Sequence, residues 1–413
     1  MNFYKDKNIR ALFGSVFLSS IGNWIFQISI LIYIFNDSKS ATMISAFILT
    51  SALPALIFSP LLVRYISRFS NKTVLVAADI VRAILIAAMI FLHESIIAIF
   101  IINAFVGLVS VAFNSAYVKQ VSVLFSREIR HKVNAILNSG NHMATIIGSL
   151  AGASLVINFS IELCLLINSL SFIFSAALLY SLNNLTSGDK EESDNEDQES
   201  LLKMMLKVKA ELGRSTILSS VIIFGLSWGV IGGAYTVLLP VIFMSQENSP
   251  ELLSGFYTVQ AIALIFGSII VYSIKLNEEN IRLFRIYIIA YLLQAVFFSF
   301  SLFTPVWSLV FVSIFMMRLC SGVIISLDTT LIQNNCSNIT LPFIYSAHGL
   351  IYKTCYQFSV IMAGIMIDTL SIETTKLVIG WSAIIVISTI SLVALSWSYK
   401  QSATSNKEGL KNG

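Results

Sequence analysis

The stretch VSIFMMRLCSGVIISLD (Val312–Asp328) decides how the whole chain is read. With the apolar residues just before it, this run approaches the roughly 20 residues a helix needs to cross a bilayer, yet it carries a fixed positive charge, Arg318, near its middle. The rest of the chain supports the membrane reading. Its 413 residues are 56% hydrophobic and only 12% charged, whereas soluble domains carry about 25% charged residues. A formal net charge of +4 says little, because in such proteins charge placement matters more than the sum. The apolar run Ala11–Phe35 that follows MNFYKDKNIR is too long for a signal-peptide core. It lacks a small-residue cleavage site behind it, so it reads as a retained first span. Cys164, Cys320, Cys336 and Cys355 form no CxxC pair, which predicts buried thiols rather than a metal site or a disulfide framework.

Apolar windows of spanning length fall at about 11–35, 41–64, 73–92, 96–118, 133–157 and 160–182, and again at about 215–244, 252–274, 286–304, 306–328, 343–368 and 377–398. These are twelve predicted spans, six and six. With the N-terminus cytoplasmic, Lys39 and Lys376 lie outside, Arg82, Arg318 and Lys353 lie within spans, and the other 21 of the 26 Lys and Arg residues fall on the inner side. That asymmetry is what the positive-inside rule requires, and it places both termini in the cytoplasm. Between the halves, NNLTSGDKEESDNEDQES (Asn183–Ser200) is acidic and solvated in character. The following LLKMMLKVKAELGR sets Leu201, Leu202, Met205, Leu206 and Leu212 against Lys203, Lys207 and Lys209, an amphipathic pattern suited to an anionic leaflet. The expected organisation is an N-terminal bundle over 1–182, a linker with an amphipathic helix over 183–214, a C-terminal bundle over 215–399, and a tail over 400–413.

Two six-span halves joined by a cytoplasmic linker resemble the major facilitator superfamily, and local motifs resemble its exporters of the macrolide-efflux and siderophore-exporter type. SPLLVRYISRFSNKTVLVAADIVR matches their stretch after span two at Ser59, Pro60, Leu61, Arg68, Phe69, Lys72, Val74, Leu75, Asp79 and Arg82. Val63 and Ser67 stand where those proteins have glycine and aspartate, so a gate lock built on that aspartate must be weaker here or made elsewhere. GSLAG (Gly148–Gly152) is similar to their GPxxGG, with the close-packing glycines kept and the proline replaced by serine. LFSREIRHKVNAI, TLIQNNCS and AGIMIDTLSIE resemble further pieces. The resemblance implies an all-α membrane protein with twelve transmembrane helices in two pseudo-symmetric six-helix bundles, the major facilitator fold. It also implies alternating access, proton antiport and a place in a bacterial cytoplasmic membrane.

Counted along the predicted spans at 1.5 Å per residue, Arg82, His142, Arg318 and Lys353 are all expected near the midplane. Asp79 lies one turn before Arg82 and can pair with it, as a structural pair near the gate or in direct contact with the cargo; Asp79, Arg82, His142 and Arg68 are the candidates for proton coupling or the gate. His142 is a proton carrier or a packing residue. Arg318 and Lys353 have no acidic partner at their expected depth. An unpaired cation there costs about 2.5–3.5 kcal/mol on the mildest insertion scale, so it is structural at a price or faces water and function. If functional, the missing anion is the cargo, and a guanidinium suits a carboxylate because it offers a planar two-toothed fork. Asn23, Gln27, Asn103, Asn114, Gln260, Tyr352, Tyr356 and Gln357 are candidate lining residues, each equally open to a helix-packing role.

The sequence therefore predicts an exporter of a small organic anion such as a carboxylate-type siderophore. Its partners are that cargo, protons and the bilayer. The alternative is efflux of a macrolide-like or other amphipathic antibiotic. No GxSxG, HExxH or Walker loop appears, so no enzyme activity, cofactor, metal or nucleic-acid partner is expected, and the chain is expected to work as a monomer.

Overall fold

The computed structural model describes residues 6–66, 68–125, 127–182, 210–213, 215–246, 249–273, 280–336 and 340–409. The acidic linker and most of the predicted amphipathic helix lie outside the described residues. Twelve long helices occupy the predicted span positions: α1 (Lys7–Ser38), α2 (Ala41–Ile66), α3 (Asn71–Leu92), α4 (Ile96–Leu124), α5 (Arg127–Asn158), α6 (Ile161–Tyr180), α7 (Thr216–Met244), α8 (Ser249–Ser273), α9 (Asn280–Phe303), α10 (Trp307–Asn335), α11 (Leu341–Leu370) and α12 (Ile372–Gly409). Among the described residues there is no strand. The architecture is the all-α, two-times-six arrangement expected of the fold.

Ten of these helices are apolar and long enough over their described residues to cross a membrane; α2 and α5 are not among them. In α2 the described apolar stretch is shorter, Ala41–Pro54. In α5 the entry REIRHKVN and the later Asn138, Asn141 and His142 dilute the apolar residues. Short polar side chains start several helices by accepting hydrogen bonds from the first free amides. Asp6 caps Asn8 N at 2.8 Å and Ile9 N at 3.2 Å, Ser70 caps Thr73 N at 3.2 Å, and Ser95 caps Ala98 N at 3.4 Å.

The helices form two compact units. One holds α1–α6 together with Pro240–Ala261; the other holds α7 up to Leu239 and the chain from Ile262 to the end of α12. In the first unit α1 packs on α5 and α6, α3 on α4 and α6, and α2 on α4. Both ends of the antiparallel α3 and α6 are fastened. Lys72 donates to the Leu182 carbonyl at 2.8 Å near the end of α6, and His93, just past α3, pairs with Glu162 at 2.9 Å. Asn103 donates to the Phe47 carbonyl and to Thr50 Oγ1, both at 2.9 Å, which makes it interhelical glue between α4 and α2. In the second unit α9 packs on α10 and α12. All four cysteines are free; Cys164 and Cys320 are buried as expected, while Cys336 and Cys355 are half-buried.

The glycines of GSLAG do what their spacing suggests. A Cβ on Gly148 would lie 2.7 Å from both the Ile21 carbonyl oxygen and Trp24 Cβ, and one on Gly152 would lie 3.1 Å from Ile25 Cα. The α1 and α5 backbones can therefore approach only because side chains are missing there, a common device where lipid supplies no hydrophobic drive between helices. Gly148→Leu is expected to cost about 1–3 kcal/mol of stability, the usual range for overpacking. Thermal unfolding in detergent reads this as a lowered midpoint, whereas Gly349→Ala, where nothing lies within 4 Å of the new methyl, leaves the midpoint level or higher.

Candidate functional site

The two buried arginines solve the same electrostatic problem differently. In the first unit, Arg82 forms an ion pair with Asp79 one turn earlier on α3, and Asp79 Oδ2 also accepts from Ser175 of α6 at 2.6 Å. The guanidinium carbon lies 4.2 Å from the Phe113 ring centroid and 4.4 Å from that of Phe172, so aromatic faces cover it. Asp79 is fully buried and Arg82 is 5% exposed, with its Nε buried and without a hydrogen-bond partner. This geometry is that of a packed internal pair. Arg68 is exposed in the turn between α2 and α3, and His142 is half-buried on α5.

In the second unit, Arg318 is half-buried on α10 with its guanidinium carbon 4.7 Å from the ring centroid of Tyr235 on α7. Its Nε is buried without a hydrogen-bond partner. Among the described residues no acidic side chain forms an ion pair with Arg318 or with Lys353. Tyr356 shares a hydrogen bond with Thr236 of α7, and its ring lies 5.9 Å from that of Tyr352. Tyr352 interacts electrostatically with Tyr356, Arg318 and Asp328. These tyrosines reach α7 because Gly229 and Gly233 leave no side chain in the way: a Cβ on either would meet the Tyr352 or Tyr356 carbonyl. Arg318, Tyr235, Tyr352 and Tyr356 are thus one group, and Tyr235 is the member that sequence reasoning missed. Its helix is apolar nearly all round, so no periodicity marks which residue faces Arg318.

Lys353 does not join Arg318 at one depth, contrary to the sequence expectation. His348 Nδ1 lies 3.6 Å from Asp328 Oδ2 and so fixes α11 against α10. From that contact, Arg318 is ten residues along α10 and Lys353 five along α11, or about 15 Å and about 7.5 Å at 1.5 Å per residue. Lys353 is exposed, and Gln357, one turn on, is half-buried with an unpartnered Oε1. The error came from counting depth inward from approximate span ends in antiparallel helices.

The remaining candidates lie in the first unit. Asn23 and Gln27 are half-buried on α1, between which Trp24 packs at 5.1 Å on Tyr257 of α8. Gln260 is 7% exposed, with Nε2 lacking a hydrogen-bond partner. Ser149 and Thr258 share a 2.9 Å hydrogen bond nearby. Among the described residues no group of three or more His, Cys, Asp or Glu side chains could hold a metal ion.

With this geometry in hand, the chain can be set beside known proteins. The sequence profile of the Major Facilitator Superfamily matches residues 12–364. An uncharacterised MFS-type transporter of Bacillus subtilis, YfiS, is 23% identical over 181 residues. That match takes in 44% of this chain and 43% of the relative, so the chain spans less than half the length of the curated relative it matches. The crystal structure of the nucleoside transporter NupG aligns with a TM-score of 0.69 at 14% identity, covering 96% of this chain and 99% of that one. A POT family transporter in complex with a thioalcohol-conjugated peptide aligns with a TM-score of 0.71 at 12% identity, covering 95% and 96%. At such identities these structures bear on the fold alone.

The packed state of the first-unit pair sets a test. Asp79→Asn leaves Arg82 buried without its counter-charge and is expected to cost about 3–5 kcal/mol, while Asp79→Leu with Arg82→Met recovers most of that loss. Unfolding midpoints of purified variants read the difference; an Asp79→Asn protein as stable as wild type would remove the structural assignment.

Proposed function

The chain belongs to the Major Facilitator Superfamily, and on that premise we propose that it is a secondary active transporter exporting a small organic anion. A carboxylate-type siderophore or a related secreted metabolite fits, moved by alternating access with proton antiport. The single observation that carries the cargo class is Arg318: a fixed guanidinium deep in the second unit, resting on an aromatic face, with no acidic side chain paired to it among the described residues. A carboxylate arriving there gains a charge-assisted hydrogen bond to a guanidinium that has an aromatic face but no counter-charge. Lys353, lower in the same unit and exposed, acts as a second cation on the anion's way.

The outward direction rests on energetics. An inside-negative potential of 100 mV contributes about 2.3 kcal/mol per charge toward expelling an anion. This holds for the orientation the positive charges favour, with both termini cytoplasmic in a bacterial cytoplasmic membrane. The site completes itself within one chain in this reading, and the protein acts as a monomer.

A second reading is efflux of a macrolide-like or other amphipathic antibiotic. It is favoured by the aromatic surface that Tyr235, Tyr352 and Tyr356 form around Arg318, to which a bulky apolar cargo would bind. One experiment separates the two. Mass spectrometry of the medium and contents of cells with and without the protein should find an acidic metabolite retained inside when the protein is missing. Arg318→Gln, inserted at wild-type level, should abolish its appearance outside, and Lys353→Gln should reduce it. Macrolide resistance that survives both substitutions, with no acidic metabolite affected, would favour the second reading instead.

A further inference from the structure

Asp328, His348 and Tyr287 come from three helices of the second unit and meet at one level. Each lies seven residues from the facing end of its helix: Asp328 from Asn335 of α10, His348 from Leu341 of α11 and Tyr287 from Asn280 of α9. At 1.5 Å per residue that is about 10 Å inside the bundle. Tyr287 donates to Asp328 Oδ1 at 2.7 Å, and His348 Nδ1 stands 3.6 Å from Asp328 Oδ2, just beyond hydrogen-bond length. The second ring nitrogen of His348, Nε2, is buried without a hydrogen-bond partner and points at Gly225 of α7, where a Cβ would collide with it. The missing side chain at Gly225 is what admits the imidazole.

Among the described residues, Tyr287 and Tyr291 from α9 and His348 and Tyr352 from α11 are the titratable groups that face Asp328. α7 brings Gly225 against His348 and Phe224 against both α9 tyrosines, at 5.7 Å and 4.6 Å between centroids. No Lys or Arg pairs with Asp328 among the described residues. The carboxylate therefore has one neutral donor and one imidazole against it, with Tyr291 and Tyr352 also facing it. With His348 neutral, the cluster holds one net negative charge. A single proton, placed on the carboxylate or on the imidazole, leaves it with none. Asp328 keeps 20% of its side chain exposed and His348 is buried; for the part out of water the charged form is the costly one, so a proton that removes the net charge is favoured there.

We propose that Asp328 and His348 share one exchangeable proton and form the proton-binding site of this transporter, in place of Asp79, which is already held by Arg82 and Ser175. The proton's role in transport rests on the transporter reading above; its binding does not. Potentiometric titration of the purified full chain in unbuffered detergent solution, over roughly pH 5–9, counts protons with no cargo present. Wild type takes up about one proton more than Asp328→Asn/His348→Gln, which keeps neither partner of the shared proton. Equal uptake by wild type and that variant overturns the proposal, as does a loss of two protons in it. Should the variant fail to fold, wild-type protein answers by dicyclohexylcarbodiimide, which labels protonated carboxyls in apolar surroundings. Labelling of Asp328, read by peptide mass spectrometry, falls as pH rises across that range; labelling independent of pH overturns the proposal. A wrong cargo leaves both measurements untouched, and a wrong proton site fails here alone.

Discussion

A fixed charge inside a helix bundle must be answered by something, and that constraint organises both halves of this protein. Hydrocarbon offers no water to an arginine, so a side chain, a carbonyl, an aromatic face or a ligand has to take water's place. Arg82 is answered from within: Asp79 one turn away, Ser175 holding that carboxylate, and the faces of Phe113 and Phe172 against the guanidinium. Arg318 is answered in part, by the face of Tyr235, with Nε left over. The same residue type thus serves as packing in one unit and as a receptive charge in the other. The difference lies in whether a carboxylate stands within one helical turn.

Much of the scaffold was legible because its signals are long. Apolar runs of spanning length are unlike anything a soluble chain tolerates, and all twelve helices lie where those runs predict them. Even α5, diluted by Arg127, His131, Lys132 and Asn134, was marked by its later apolar half and the two glycines of GSLAG. The Asp79–Arg82 pair was also legible, because i,i+3 spacing on a helix fixes proximity whatever the tertiary structure.

The rest of the site depended on contacts between helices, and sequence spacing does not carry those. Lys353 and Arg318 were set at one depth because span ends are uncertain by a few residues, and counting from opposite ends of antiparallel helices adds the two errors. The Asp328–His348 contact removes that uncertainty, since it supplies a register mark where the sequence had none. Asp328 and His348 lie close to the ends of the predicted spans 306–328 and 343–368, where counting toward the midplane does not single them out. Their matching distances from facing helix ends, seven residues each, were the signal that could have joined them. Placed on that register, the polar groups of the second unit form a column: Asp328 and His348 lowest, then Tyr352, then Tyr356 with Thr236, then Arg318 on Tyr235. In the first unit the buried arginine is closed off by its own carboxylate instead.

The most direct measurement of the central claim is an experimental structure of the full chain in a lipid nanodisc, purified from cells that still make their acidic metabolites. The account predicts no Asp or Glu of this chain within ion-pair distance of the Arg318 guanidinium, and density for a bound anion against it. An acidic side chain of the protein itself seated on Arg318 would contradict it.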